Sequence, residues 1–570
     1  MKIRPWYLGN TTVRNPFRLR EGLRALVSSP LLGNLKGRPN ENAFAQLLDL
    51  SGVVKKTRIS SDSSDLGRKW RSALDKMGFI VPDLSRNENL DQKWIGGAFT
   101  ITDAGSALLH ADTLPAIQEC FLRSLASYYI PSILEKNYQY NVFSPLRYVL
   151  EILISLERLT GNSRLEFQEM AFFVQLTSSD QLKNTLCEII EFRNNKALAK
   201  NKKSFSNEIR RRIADQNGYK ATTLTDYADT NIRYLKATGL VHASGRGITL
   251  VPEKRFLTEQ MIADRALPAS DRDYLESHCS GAKLPTDNKI IAEQFLNDLA
   301  SQLRNRGILS VPTVMKGSSI QDINQLRYKA EELLMQHNEE AYAHLQSEQW
   351  EEISEYMELI EGRKSLKRTS VSRASIPESE YPAYLEWVLW RAFLALNNLT
   401  NQPYESRRFK VDQDFLPIGT APGNGPDLIF EFDNFVIVVE VTLTENSRQE
   451  AAEGEPVRRH VANLVEKFIG KKDVYGLFIA KKIDSNTAET FRIGTWFDRD
   501  DVRLKLCIIP MTLTQFREFF MALFKSEQAN ILKVRELLDC CDHIRQFNEA
   551  PAWKAKISET VVERVSALIK

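Results

Sequence analysis

Between Pro426 and Thr442 the chain reads Pro-Asp-Leu-Ile-Phe-Glu-Phe-Asp-Asn-Phe-Val-Ile-Val-Val-Glu-Val-Thr, two apolar runs separated only by Asp433-Asn434. A two-residue polar connection between β-prone runs predicts a tight hairpin. Phe432 then pairs with Phe435, and stepping outwards places Leu428 opposite Val439 and Asp427 opposite Glu440. Like charges facing each other across a ladder are destabilising, and the flanking strands are apolar enough to be buried. A divalent cation removes the objection, because Mg²⁺ takes hard oxygen ligands, one or two of them carboxylates, and completes its shell with water and substrate phosphate. Thr442 lies two residues beyond Glu440 and so on the same face.

Around this hairpin, strand alternates with helix. Strands are expected at Phe409 to Asp412, Leu428 to Phe432, Phe435 to Thr442, Val474 to Ala480 and Leu504 to Pro510. Helices are expected at Tyr381 to Leu399, at Pro456 to Phe468 with the proline in the first turn, and at Thr514 to Phe524. The reading is an α/β domain over 377–570 whose hairpin feeds a parallel strand pair in a mixed sheet.

The chain has 570 residues and a net charge of only +3, a length of about three to five domains. Split along the chain, the charge is informative: residues 1–262 carry 37 Lys+Arg against 26 Asp+Glu, and residues 263–570 carry 39 against 47. A basic front suits a polyanion such as DNA, and an acidic back concentrates carboxylates around a cation. No apolar run approaches the roughly 20 residues of a membrane span, and the start lacks an apolar signal core; a soluble, cytoplasmic protein is expected. The six cysteines show no repeated CxxC spacing, so neither a disulfide framework nor a zinc ribbon is suggested.

Within the basic front, helix–helix–hairpin order occurs twice. Asn42 to Ser51 and Ser63 to Met77 read as helices, the second basic on one side through Arg68, Lys69, Arg71 and Lys76, followed by Phe79-Ile80-Val81 and Phe99 to Thr102 as a hairpin. Asp226 to Thr238 reads as a helix with Arg233 and Lys236 outward, and Leu240 to Leu250 as a hairpin turning at Ser244-Gly245-Arg246-Gly247. A basic helix followed by a Gly-Arg-Gly wing presents donors to base edges and to phosphate, so winged-helix-like DNA-recognition subdomains are assigned to 1–133 and 134–262. The tract Lys196 to Arg212 is markedly basic and reads as a phosphate-contacting loop or a solvated helix. Residues 263–376 are dominated by helix formers and read as a helical linker, with Lys364 to Arg373 as an exposed hinge.

Pro-Asp, a strand, then Glu-x-Thr resembles the PD-(D/E)xK nuclease superfamily with threonine in place of its lysine. Gly423-Asn424-Gly425-Pro426-Asp427, Val439 to Thr442, Glu453 to His460 and Leu385 to Trp390 together resemble the AlwI-like type IIS restriction endonucleases and their nicking relatives, as do Trp6-Tyr7 and Lys36-Gly37 to Phe44 nearer the start. That resemblance implies an active site of Glu386, Asp427, Glu440, Glu453 and His460. Asp427 and Glu440 would hold Mg²⁺, Glu386 would complete or order its shell, and His460 and Glu453 would orient or deprotonate the attacking water. Glu450 and Glu455 are alternatives to Glu453. It also implies cleavage outside a short asymmetric site, leaving a 5′-phosphate. The enzyme is expected to be a monomer that meets a transient second copy or a small subunit for the other strand, with a companion methyltransferase. Alternatives are a site-specific nicking enzyme, the large subunit of a heterodimeric restriction enzyme, and a winged-helix regulator whose nuclease block has lost activity.

Overall fold

A computed structural model describes residues 3–54, 62–85, 91–362, 375–377 and 380–569. The hinge expected at Lys364 to Arg373 lies outside the described residues. The chain is multidomain and mostly helical, with a mixed sheet near its C-terminal end, and divides into two compact units, Met1–Leu334 and Met335–Lys570. Among the described residues no helix is long and apolar enough to cross a membrane, and all six cysteines are free.

In the first unit a helix pair precedes each of the two expected hairpins, but only the second hairpin forms. Helices Arg38–Leu50 and Ser64–Lys76 pack together, the second through Trp70, Ala73 and Leu74. Gly78, at a φ of 67°, turns the chain out of the helix; its missing Cβ leaves room for the His278 carbonyl oxygen, which a side chain there would meet at 2.0 Å. The expected hairpin is reduced to a single bridge between Ile80 and Ile101. The second copy is fuller. Helices Lys202–Asn217 and Ala221–Ala237 precede an antiparallel pair, β1 (Val241–Ser244) and β2 (Gly247–Leu250), and Leu165 bridges to Ile248 on its other edge.

The second unit is built on a four-stranded sheet. Its strands are β3 (Leu428–Glu431), β4 (Phe435–Thr442), β5 (Asp473–Ala480) and β8 (Cys507–Thr512), adjacent in that order. The hairpin register is the expected one, Leu428 facing Val439 and Glu431 facing Val436, and β4, β5 and β8 run parallel. Strand β4 shows why its sequence is continuously apolar. Phe435, Ile437 and Val439 enter one core with the Tyr381–Leu396 helix, while Val436 and Val438 enter another with Val457 and Val461 of the Arg448–Phe468 helix. A strand covered on both faces has no polar side to show.

Three expectations are corrected. Residues 409–412 form no strand: Asp412 accepts from the Asp414 and Leu416 amides and folds 409–418 back on itself. The stretch 504–510 is divided, since β7 (Arg503–Lys505) pairs with β6 (Thr495–Phe497) and only Cys507 onward joins the main sheet; the Leu506 amide, bonded to Gly494 O, marks the change of partner. The helix expected to start at Pro456 starts at Arg448, with Pro456 inside it. Asn446 begins the longer helix, its side chain and carbonyl accepting from the Arg448 and Gln449 amides.

Candidate active site

The Tyr381–Leu396 helix is buried on every side from Ala383 to Leu396, yet carries two charged residues, Glu386 and Arg391. Arg391 is fully provided for, with Nε donating to Gln346 at 2.6 Å and its terminal nitrogens to Glu352 and Gln349 at 2.9 and 2.7 Å. Among the described residues Glu386 receives only the Ala421 amide, 2.7 Å from Oε2. Burial, and the neighbouring Asp427 charge, push its carboxyl well above the usual range. A buried carboxylate without a cation is costly, so this position is poorly explained by stability.

Asp427 precedes β3, and its Oδ2 accepts from the Val441 amide across the hairpin at 2.9 Å. Glu440, beside it on β4, brings Oε1 within 2.7 Å of His460 Nδ1. Burial raises both carboxyls to about 8, assisted for Asp427 by the Glu440 charge and for Glu440 by Glu453. Desolvation and like-charge crowding act here in the same direction.

The extension of the Arg448–Phe468 helix is what recruits Glu453. Seven residues before His460 in one helix, it lies on the same face, and the Thr442 side chain partly offsets the rise that burial causes in its carboxyl pKa. The other two candidates are occupied elsewhere: Glu450 accepts from the Thr490 hydroxyl at 3.3 Å, and Glu455 pairs with Arg459 at 2.9 Å. Thr442, standing where the superfamily pattern has lysine, thus favours the ionised form of a carboxylate. The His460 ring is buried, which lowers its pKa. When Glu440 is ionised, as a bound cation would keep it, Nδ1–H donates to it and Nε2, buried without a hydrogen-bond partner among the described residues, is left as an acceptor.

Glu386, Asp427, Glu440, Glu453 and His460 therefore form one electrostatically coupled group drawn from two helices and the hairpin. Sequence reasoning missed Arg408, whose charge partly offsets that of Glu440. Its guanidinium reaches the Pro426 carbonyl at 3.3 Å and Asn424, and lies where a side chain on Gly425 would stand, which gives that glycine a steric reason. Nothing in local spacing could have placed Arg408 there. Among the described residues no three His, Cys, Asp or Glu side chains form a ready metal cage. Mg²⁺ needs only one or two carboxylates beside water and phosphate. The hard oxygens of Asp427 and Glu440, buried without a matching cation, fit such an ion.

The model of the AlwI restriction endonuclease family matches residues 75–519, well over half of the chain. The chain belongs to the AlwI restriction endonuclease family. It is accordingly a nuclease that acts on DNA. Among solved structures it is similar to the small subunit (R.BspD6I2) of the heterodimeric restriction endonuclease R.BspD6I, at 25% identity over 38% of this chain and 98% of that chain, with a TM-score of 0.28. No curated protein matches it.

For a restriction endonuclease the cations expected to face DNA matter as much as the carboxylates, and here the structure separates the candidates. Arg68 and Lys69 are solvent-accessible, each paired with Asp65. Arg246 is exposed at the β1–β2 turn, and Lys236 is half-buried. Three others do not face outward. Arg71 donates to Leu35 O and pairs with Glu41 at 2.6 Å. Lys76 pairs with Glu135 at 2.5 Å and lies 3.9 Å from the centre of the Tyr7 ring. Arg233 pairs with Asp229 at 2.8 Å and donates to Val13 O. Helical spacing put these side chains beside a basic face, but long-range partners at Leu35, Glu135 and Val13 drew them into the fold.

Proposed function

We propose that the protein is a type IIS restriction endonuclease that reads a short asymmetric DNA site with winged-helix-like subdomains of its first unit and hydrolyses a phosphodiester outside it with Mg²⁺. The observation that carries this reading is the group of buried carboxylates around Asp427 and Glu440. It is unfavourable as structure and suited to a divalent cation, in a chain of a restriction endonuclease family. The mixed sheet, antiparallel β3–β4 feeding parallel β5 and β8, supports a PD-(D/E)xK core.

Asp427 and Glu440 would hold the ion through carboxylate oxygens. When bound, it supplies positive charge to the scissile phosphate and acidifies a water. Glu386, fixed by the Ala421 amide, orders the shell from the helix side. Glu440 fixes the His460 ring so that Nε2 faces the reaction as an acceptor for the water's proton, and Glu453, its ionised form favoured by Thr442, orients that water. Attack on phosphorus breaks the P–O3′ bond and leaves a 5′-phosphate.

One such group serves one strand at a time, so a monomer is expected to nick first and to need a transient second copy or a small subunit for the other strand. A companion methyltransferase is expected to protect host DNA. Digestion of unmethylated phage DNA with Mg²⁺, followed by run-off sequencing, tests the reading. Cuts at a fixed distance from one recurring asymmetric sequence are expected, with nicked circles preceding linear product on a supercoiled plasmid. Cuts within a symmetric site would overturn the type IIS assignment. Nicking that never yields linear DNA would instead identify a nicking enzyme or a missing subunit.

A further inference from the structure

The first unit treats most of its cations as structural parts. Arg71, Lys76, Arg123, Arg193, Arg233 and Arg327 all have carboxylate partners within the fold. Among the cations without such partners, one short tract is the densest. Lys200, Lys202, Lys203, Arg211 and Arg212 are exposed, and among the described residues their side chains make no ion pair and no hydrogen bond. The contrast is sharp at its edge, because Lys196 pairs with Glu166 at 2.8 Å and the unpaired group begins immediately after it.

The tract is ordered, not a loop. Asn201 caps the Lys202–Asn217 helix, its side chain accepting from the Lys203 and Ser204 amides at 3.1 and 3.0 Å. Ser206, Ile213 and Ala214 bury one side of that helix, which packs on the Ala221–Ala237 helix leading into the β1–β2 hairpin. At about 1.5 Å per residue, Lys203 and Arg211 are about 12 Å apart along the axis. Glu208 is the single acidic residue among positions 200–212, and it pairs with neither Arg211 nor Arg212. At about 100° per residue Lys202 stands opposite Arg211 and Lys203 opposite Arg212, so the charges form two clusters with no i,i+3 or i,i+4 like-charge pair inside the helix. Neither cluster contributes to the isolated fold, and each adds positive potential that a polyanion can use.

We propose that the Lys200–Arg212 surface is a phosphate-backbone clamp, contacting duplex DNA through Lys200, Lys202, Lys203, Arg211 and Arg212 without reading bases. The occupant is the sugar-phosphate backbone because these are long cationic side chains in two clusters about 12 Å apart along the axis, which can reach separate phosphates. The rigid connection to the β1–β2 hairpin, with Arg246 at its turn, makes the clamp and the wing one body. The inference rests on the DNA-binding reading of the first unit and adds to it the surface that supplies most of the salt-dependent affinity.

The test uses the full chain and a short random-sequence duplex, without divalent cation so that no cutting occurs. Affinity is measured across a salt series for the wild type and for the variant Lys202→Gln/Lys203→Gln/Arg211→Gln/Arg212→Gln, whose exposed positions leave the fold intact, as an unchanged melting temperature will verify. Loss of about four phosphate contacts lowers the slope of log affinity against log salt by about 3 to 4, while the cut positions on phage DNA stay the same. The variant Arg211→Lys/Arg212→Lys keeps the wild-type slope. An unchanged slope in the glutamine variant, with a steep wild-type slope, overturns the clamp and leaves the DNA-binding reading standing. A wild type that binds duplex with no salt dependence overturns that reading itself. A glutamine variant with wild-type slope but altered cut positions would assign the surface to base reading and also overturn the proposal.

Discussion

Two buried glutamates treat their charge in opposite ways. Glu119, in the first unit, lies among Arg327, Arg123 and Tyr328, and those guanidinium groups outweigh its desolvation and hold its carboxyl down to about 2. Glu440, in the second, is almost equally buried, yet its carboxyl is pushed up to about 8 by burial and by Glu453. The first is a finished ion-pair network: Arg327 also bonds Glu331 at 3.0 Å, and Arg123 pairs with Asp287 at 2.6 Å. The second is unfinished until a cation is added. Burial alone therefore does not separate structural from functional charge; the presence or absence of a built-in counter-ion does.

The largest effect that would break this contrast lies in the finished network. Glu119→Ala removes one of the two carboxylates that balance each of Arg327 and Arg123, and chemical denaturation of the full chain should show the first unit destabilised by up to about 3–5 kcal/mol. A cost under about 1 kcal/mol would mean that the network contributes little.

The unfinished site should respond in the other direction. Because Asp427 and Glu440 bind protons more tightly folded than unfolded, each favours the fold at low pH and loses that contribution as pH rises towards about 8. In a chelator, the second unit should weaken from pH about 5 to about 8, Mg²⁺ should restore it, and Glu440→Gln should stabilise the metal-free protein at pH about 8 by about 1–4 kcal/mol. Glu119, with its pKa depressed, contributes fully above the usual carboxylate range and loses its contribution only as pH falls through about 2, so it adds nothing to the pH dependence of the first unit over the same window, in which the buried Asp75 carboxyl, raised to about 7, is the group that titrates. Melting curves at several pH values read both.

A smaller change sharpens the comparison within the site. Thr442→Val removes the hydroxyl that lowers the Glu453 pKa. The pH midpoint of cleavage should shift upward, with a loss of about 1 kcal/mol in transition-state stabilisation. An unaltered pH profile would leave Glu453 without the water-orienting role.

How far the sequence reaches follows the same division. The hairpin register was legible because the pleat has period two and the turn fixes the offset, so Asp427 and Glu440 could be paired by counting alone. Glu453 could be chosen from its neighbours only once the helix was seen to begin at Arg448, because Pro456 is also a legitimate first-turn residue. Arg408 was invisible because its approach depends on Gly425, across a fold that local spacing does not encode. The same limit misjudged Arg71, Lys76 and Arg233, whose partners lie between 30 and 220 residues away in the chain. Local pattern places a charge on a helix, and tertiary contacts decide whether solvent, a carboxylate or DNA receives it.

The central claim is that the carboxylates left without cations are the cutting site. It is tested most directly by comparing the wild type, Asp427→Ala and Glu440→Ala for DNA binding without divalent cation and for Mg²⁺-dependent cleavage of phage DNA. Both variants should bind as the wild type does and cut slower by about 10³-fold or more. Mg²⁺-dependent cutting at the wild-type rate in either variant would contradict it.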